Sequence, residues 1–401
     1  MSHRLQGQDW LTAAATRAVM AALAAAGGPD CARFVGGCVR NALIGAPIDD
    51  IDIATSLTPD AVVAALKATG LRSVPTGIEH GTVTAISERQ PFEITTLRRD
   101  VSTDGRRATV AFTTDWAEDA GRRDFRLNAL YADAEGVILD PTGQGYDDAM
   151  AGRIVFVGEP EERIREDYLR ILRFYRFYAW YGRGAPDAAA VEACAALAEG
   201  VEQLSAERVS KELLKLLAAP DPRPAVRLMA EAGVLGRVLG STFDLALFEA
   251  MTGLSGDALL RLSALLPGDP AKAAEIARAL RLSNTQRDRL VEAVSGEATT
   301  TLTRPQARKV LYRDGRQAFE DRVMRAWAAG GHTEASRELL ALAQDWTRPV
   351  MPVGGRDLAR LGLTPGPETG QVLKAFEDGW IADDFPDHGH DARLRALLPP
   401  R

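Results

Sequence analysis

Two aspartates, Asp50 and Asp52, stand two residues apart shortly after a Gly36-Gly37 doublet and Arg40. Side chains two apart on a strand point to one face, so this spacing predicts both carboxylates on the same side. Paired carboxylates of that kind suit Mg²⁺, which in turn grips triphosphate oxygens. Gly36 and Gly37 carry no side chains, so backbone N–H groups there can approach an anion at the positive end of the helix that follows. Arg40, one turn into that helix, is in reach of the same anion. Singly these features are weak: a DxD arises by chance and a Gly-Gly doublet is an ordinary turn. The joint order of strand, glycine pair, helix, strand and DxD within about twenty residues is not a product of packing needs alone.

The elements that must position these residues follow from periodicity. Residues 8–27 put Leu11, Ala15, Ala18, Val19, Ala22, Leu23 and Ala26 on one helical face, ended by Gly27-Gly28-Pro29. Cys31–Val35 reads as a short buried strand and Gly36-Gly37 as a turn. A two-turn helix runs to Gly45, and Pro47 stops its continuation. Ile48–Thr55 reads as a strand, with aspartates alternating against isoleucines. Thr58-Pro59-Asp60 opens a helix that ends at Gly70. Strands are predicted at Thr82–Ser87, Phe92–Leu97 and Thr109–Phe112. From Pro160 onward helical periodicity dominates, broken at Pro220-Asp221-Pro222, Pro267-Gly268-Asp269-Pro270 and Arg348-Pro349. The expected class is α+β: a head with a small mixed sheet, then an all-helical remainder. The expected divisions are 1–150, 151–220 and 221–401.

At 401 residues the chain suits two or three domains, and 46% apolar with 26% charged residues describes a globular protein. A net charge of −7 argues against a non-specific nucleic-acid coat but not against a local basic groove. The apolar run Ala18–Ala26 is too short to span a membrane. Cys31, Cys38 and Cys194 form no CxxC pair. A soluble, cytoplasmic protein is expected, with no membrane association and no obligate protein partner.

The string GGxVR…DxDxAT, from Gly36 to Thr55, resembles the signature of class II nucleotidyltransferases, which comprise tRNA CCA-adding enzymes and bacterial poly(A) polymerases. Where that family normally has Asp, this chain has Asn41. Further motifs recur in the family's order. Arg122-Arg123-Asp124-Phe125-Arg126-Leu127-Asn128-Ala129-Leu130 resembles RRDFxxNAL, which shapes the ribose and triphosphate site; read alone, it is a helix start capped by Asp124 with Asn128 solvated. Asp140-Pro141-Thr142-Gly143 resembles a DxxG hinge. Glu166-Asp167-Tyr168-Leu169-Arg170-Ile171-Leu172-Arg173 matches EDxxRxxR. On one helix, Asp167, Arg170 and Arg173 would share a face; read alone, that is a surface ion-pair ladder.

The resemblance implies that Asp50 and Asp52 hold two Mg²⁺ ions and that Gly36, Gly37 and Arg40 hold the triphosphate. It implies that Arg123, Asp124 and Asn128 line the nucleotide site and that Asp167, Arg170 and Arg173 read the base. Asp accepts from an exocyclic amine and Arg donates to ring acceptors, a pattern that cytosine and adenine share and that uracil and guanine reverse. Each buried group left unpaired costs about 1–3 kcal/mol, which excludes UTP and GTP without a template. Glu93 is either a third carboxylate near the metals or an exposed strand residue. Asp104-Gly105-Arg106-Arg107 falls in a loop tied to RNA contact or to specificity switching. Gly355-Arg356-Asp357-Leu358 through Gly370 resembles the family's tail; its plain reading is a helix–turn–helix. The implied partners are the tRNA 3′ acceptor end, CTP and ATP. Poly(A) synthesis, partial CC- or A-addition and a non-enzymatic RNA-binding role remain alternatives. Residues 151–331 contain no histidine, which excludes an appended His/Asp phosphohydrolase site.

Overall fold

The computed structural model describes residues 3–77, 81–104, 107–296 and 300–398, and the backbone alone for Thr76, 100–104 and 107–110. It divides into two compact units, Met1–Ser241 and Thr242–Arg401.

The first unit opens with α1 (Asp9–Thr12) and α2 (Ala14–Gly27), where the periodicity predicts one helix. The chain leaves helical geometry at Ala13 (φ −58°, ψ 141°). This break lets Trp10 meet the Phe34 ring edge-on at 4.8 Å while Leu11 is buried. Ala18 and Ala26, expected on the buried face, are exposed. Then come β1 (Ala32–Val35), α3 (Gly37–Ile44), β2 (Asp52–Thr55) and α4 (Pro59–Ala68). Thr58 caps α4 by accepting from the Ala61 amide, with Pro59 at its first turn, as the sequence predicts. Next are β3 (Arg72–Gly77), β4 (Thr82–Ser87), β5 (Gln90–Thr96), β6 (Arg98–Asp104) and β7 (Arg107–Phe112). After α5 (Trp116–Gly121) come the short β8 (Tyr131–Ala132) and β9 (Ile138–Leu139).

The mixed sheet has the order β3-β4-β5-β2-β1-β8-β9, and β6-β7 form a separate two-stranded ribbon. Among the described residues only β2 and β5 pair in parallel. Strand β4 alternates as predicted, with Val83 and Ala85 buried and Thr82, Thr84 and Ile86 half-exposed. Strands β3 and β6 were not expected. Of the Asp104–Arg107 loop, Gly105 and Arg106 lie outside the described residues.

The β4–β5 turn joins Ser87 to Gln90 through Glu88 (φ 49°) and Arg89 (φ 67°). Two left-handed residues form the twist-matched hairpin turn, yet neither has the side chain that favours it. Arg89→Gly is therefore expected to stabilise the protein by about 0.5–1 kcal/mol, read as a rise in denaturant midpoint at unchanged slope.

The helices α6 (Gly145–Ala151), α7 (Pro160–Glu166), α8 (Leu169–Tyr181), α9 (Ala188–Ala196) and α10 (Ala206–Leu217) complete what surrounds the site. Phe125, Phe156, Phe174 and Phe177 lock α8 to the preceding chain, with Phe125 lying 4.9 Å from Phe156 and 5.0 Å from Phe177. The second unit is helical wherever it carries regular structure among the described residues. Helices Arg304–Asp314, Arg316–Gly330 and Thr333–Asp345 close around Leu311, Phe319, Val323 and Leu339. The expected helix–turn–helix near Gly355 is Gly355–Arg360 followed by Pro367–Ala382, packed through Leu358, Phe376 and Trp380. No helix among the described residues is long and apolar enough to cross a membrane.

Candidate active site

The glycine pair lies between β1 and α3. Gly36 has φ +71°, which an L side chain adopts only with strain, and Arg123 Nη1 stands 3.7 Å from where its Cβ would be. The Gly36 amide donates to the Leu130 carbonyl. The amides that follow it are those a helix leaves without an intrahelical acceptor. An anion here would meet the α3 N-terminus and the Arg123 guanidinium together.

Asp52 opens β2, but Asp50 lies in the segment before it, because ladder pairing begins with β5 at Asp52 and with β1 at Ile53. This corrects the expectation of one strand over Ile48–Thr55. Glu93 on β5 stands in register beside Asp52. Partial burial, then the charges of Glu93 and Asp50, push the Asp52 carboxyl up to about 6, with Arg123 opposing. Among the described residues no three or more His, Cys, Asp or Glu side chains converge as a metal cage. Mg²⁺ is ordinarily held by one or two carboxylates plus substrate phosphates, so Asp50 and Asp52 fit that ion. Their mutual repulsion is what a divalent cation would relieve.

Asp124 and Asn128 are buried, so neither is the cap nor the solvated amide of the plain reading. Asp124 accepts from Arg173 Nε at 2.8 Å, from the Asn128 amide at 3.0 Å and from the Phe125 backbone at 2.8 Å. Burial alone would raise its carboxyl, but Arg173 and these hydrogen bonds hold it at about 2. Asn128 in turn accepts from Arg40, which also donates to Tyr181 Oη at 2.8 Å. A polar chain thus runs from Arg173 through Asp124, Asn128 and Arg40 back to α8 at Tyr181. Arg40 is buried, and four of its five N–H donors go to Asn41, Asn128 and Tyr181. Asn41 also donates to the Pro47 carbonyl at 2.6 Å, a bond that the family's usual Asp could not make when ionised. Asp119, not singled out in the sequence, is buried behind this wall. Burial raises its carboxyl, but Arg123, Arg122 and Tyr131 hold it at about 2.

Asp167 does not share a helix with Arg170. It ends α7 in extended geometry (φ −155°, ψ 106°), and α8 begins at Leu169. Its Oδ1 accepts from the Leu169 amide, and its Oδ2 accepts from Arg208 at 2.6 Å. The Asp side chain thus competes with helix continuation by capping the next helix. Arg170 donates to Glu166 and to the Arg163 and Arg122 carbonyls. Arg163, buried on α7, grips the Arg122 and Arg123 carbonyls at 2.6 and 3.0 Å. At the α7–α8 junction a Cβ on Gly200 would stand 2.0 Å from the Tyr168 ring. Gly200→Ala is expected to destabilise the fold by about 1–3 kcal/mol, measured as a lowered thermal midpoint.

One cavity of about 460 Å³ gathers Gly36, Gly37, Arg40, Asp50, Asp52, Arg123, Asp124, Asn128 and Arg173. Asp167, Arg170 and Glu93 do not line it. It also takes in Arg176, Phe177, Tyr181 and Lys215, which the sequence reading did not single out. For Phe177 and Tyr181 the signal was there as four-residue spacing from Arg173 along α8, but which face meets α3 is a tertiary fact, and nothing local marked Arg176 or Lys215. The Asp140 motif lies outside the cavity: Asp140 Oδ1 accepts from the Thr142 and Gly143 amides and Oδ2 from the Tyr146 amide, tying the loop to α6.

A glycine turn at a helix start, paired carboxylates and arginines around one cavity on a mixed sheet define a nucleotidyltransferase head. Residues 32–155 match the family model described as the poly A polymerase head domain, and residues 186–242 match that of a probable RNA and SrmB-binding site of polymerase A. The chain is 32% identical over 372 residues to the human mitochondrial CCA tRNA nucleotidyltransferase 1, covering 87% of this chain and 82% of that protein. It is 34% identical over 374 residues to the CCA-adding enzyme of Streptococcus gordonii, covering 88% and 91%. The structure of the Bacillus stearothermophilus CCA-adding enzyme in complex with CTP superposes with a TM-score of 0.75 at 26% identity, over 96% of this chain and 98% of that one. The chain belongs to the family of CCA-adding tRNA nucleotidyltransferases.

Proposed function

We propose that this protein builds and repairs the 3′-terminal CCA of tRNA from CTP and ATP without a nucleic-acid template. The observation that carries the reading is the Asp52 carboxyl, raised by burial, Glu93 and Asp50, in one cavity with the glycine turn and the arginine wall. The tRNA 3′-hydroxyl gives up its proton to solvent as its oxygen attacks the α-phosphorus, the bond to the α–β bridging oxygen breaks, and pyrophosphate leaves in line. Asp50 and Asp52 would hold two Mg²⁺ ions, which would supply positive charge to the attacking oxygen and to the leaving group. Glu93 adds negative charge beside them. The α3 N-terminus at Gly36 and Gly37 and the Arg123 guanidinium receive the phosphates, with Arg40 bracing the wall behind them. Asp124, kept ionised, and Asn128 orient the ribose.

Asp167 and Arg170 read the base at the start of α8, with Arg173 between them and the ribose. Asp167 is held by Arg208 and the Leu169 amide, and Arg170 by Glu166 and the Arg163 and Arg122 carbonyls. A cytosine or adenine edge would offer both side chains complementary partners in exchange, and a uracil or guanine edge would not. The head spans 1–150, the neck 151–220, and the helical body and tail 221–401, which meets the tRNA acceptor arm through phosphates and shape. The reaction belongs in the cytoplasm.

Primer extension with Mg²⁺ tests this, using tRNA ending at the discriminator, at C or at CC, beside oligo(A) RNA. CTP and ATP should add three nucleotides to the shortest tRNA and stop, and a single A to the CC-ended one. Long A tails with CTP unused would make the protein a poly(A) polymerase.

A further inference from the structure

The cations around the cavity are unevenly committed. Arg123 pairs with Asp119, Arg173 with Asp124 and Arg176 with Glu212. Arg40 keeps one N–H beyond its neutral partners. Lys215 differs from all of them. It lies in the last turn of α10, is exposed, lines the cavity, and among the described residues has no ion-pair partner. Its backbone is fixed to α8 by the Trp180 indole, whose Nε1 donates to the Lys215 carbonyl at 2.7 Å.

The order of groups along α8 gives this lysine a direction. Arg173, Phe177 and Tyr181 recur every four residues on one face, spanning about 12 Å. Arg173 meets Asp124 at one end and Tyr181 meets Arg40 of α3 at the other. Given the nucleotide site proposed above, on which this step rests, a ribose at Asp124 sends the phosphates toward α3 and the Tyr181 end, where Lys215 stands. We infer that Lys215 binds the terminal phosphate of the incoming nucleoside triphosphate, so that the site separates triphosphates from mono- and diphosphates whatever the base. An ammonium on a flexible stem acts as a point charge and accepts a tetrahedral phosphate in any orientation. The paired arginines, with fixed forks, serve the inner groups instead.

Calorimetric titration of the full chain with CTP, ATP, CDP and CMP in Mg²⁺, without RNA, tests the inference. Lys215→Gln should weaken CTP and ATP by one common factor of about tenfold, leave CMP unchanged and keep the thermal midpoint. Lys215→Arg should restore most of the loss. In the extension assay KM for both nucleotides should rise while kcat holds, the mark of ground-state binding. Wild-type affinity of Lys215→Gln for CTP, or equal weakening of CTP and CMP, would overturn the inference while leaving the nucleotide site standing. A wild-type chain that binds none of the four nucleotides would overturn the site, and this inference with it.

Discussion

Asp52→Asn is expected to lower nucleotide addition by at least about a thousandfold, because it removes half of the carboxylate pair on which the transition-state charge depends. The same change should stabilise the cation-free protein. Burial, Glu93 and Asp50 raise the Asp52 carboxyl to about 6, so between its ordinary range and that value the folded state binds more protons than the unfolded state. Stability then falls as pH rises through this window, and the penalty is fully present above it, up to about 3 kcal/mol. Thermal melts of wild type and Asp52→Asn in chelator should coincide near pH 4 and separate above pH 6, with the variant melting higher. Mg²⁺ should raise the wild-type midpoint more at pH 8 than at pH 5, and have little effect on the variant. A variant retaining a tenth of wild-type activity would take Asp52 out of the chemistry.

Asp124→Ala should be the most destabilising single change in the cavity wall. Among the described residues it leaves the Arg173 guanidinium with Glu212, at 3.8 Å, as its one ion-pair partner, and it strips Asn128 of the acceptor that orients it toward Arg40. Breaking a buried pair on one side costs about 3–5 kcal/mol, which for a unit of this size lowers the midpoint by roughly 10 °C. The pH dependence runs opposite to that of Asp52. A carboxyl held at about 2 contributes stability that is present above the ordinary carboxylate range and lost as pH falls toward 2. Wild type and Asp124→Ala should therefore converge on acidification, and acid unfolding of wild type should need a lower pH. Equal melting of the two proteins at pH 7 would show that the polar chain through Asn128 and Arg40 does not hold α8 to α3.

Local pattern alone made much of the head legible. The alternation in Thr82–Ser87 marked β4, Thr58-Pro59 marked the start of α4, and Gly36-Gly37 with Asp50 and Asp52 marked one edge of the cavity. These signals lie within a few residues of one another, where sterics and hydrogen bonding act directly. The elements that escaped depend on partners distant in the chain. Strand β3 is recruited by pairing with β4, and β8 by pairing with β1. Ala13 breaks a helical pattern so that Trp10 reaches Phe34. Asp167 leaves the helix that its spacing suggests because Arg208 and the Leu169 amide satisfy it in extended form.

The cavity divides along the same line. The sequence by itself determined which residue types are present and their spacing: the glycine doublet, the DxD and the RRD and ED motifs, and with them the class of chemistry. Only the tertiary structure decided that Asp124 is buried against Arg173, that Arg40 braces a wall rather than standing open, that Phe177 and Tyr181 meet Arg40 of α3, and that Lys215 lines the same cavity. Those outcomes turn on desolvation, charge pairing and hydrogen bonding between residues as far as 141 apart in the chain. Neither quantity exists until the chain has folded.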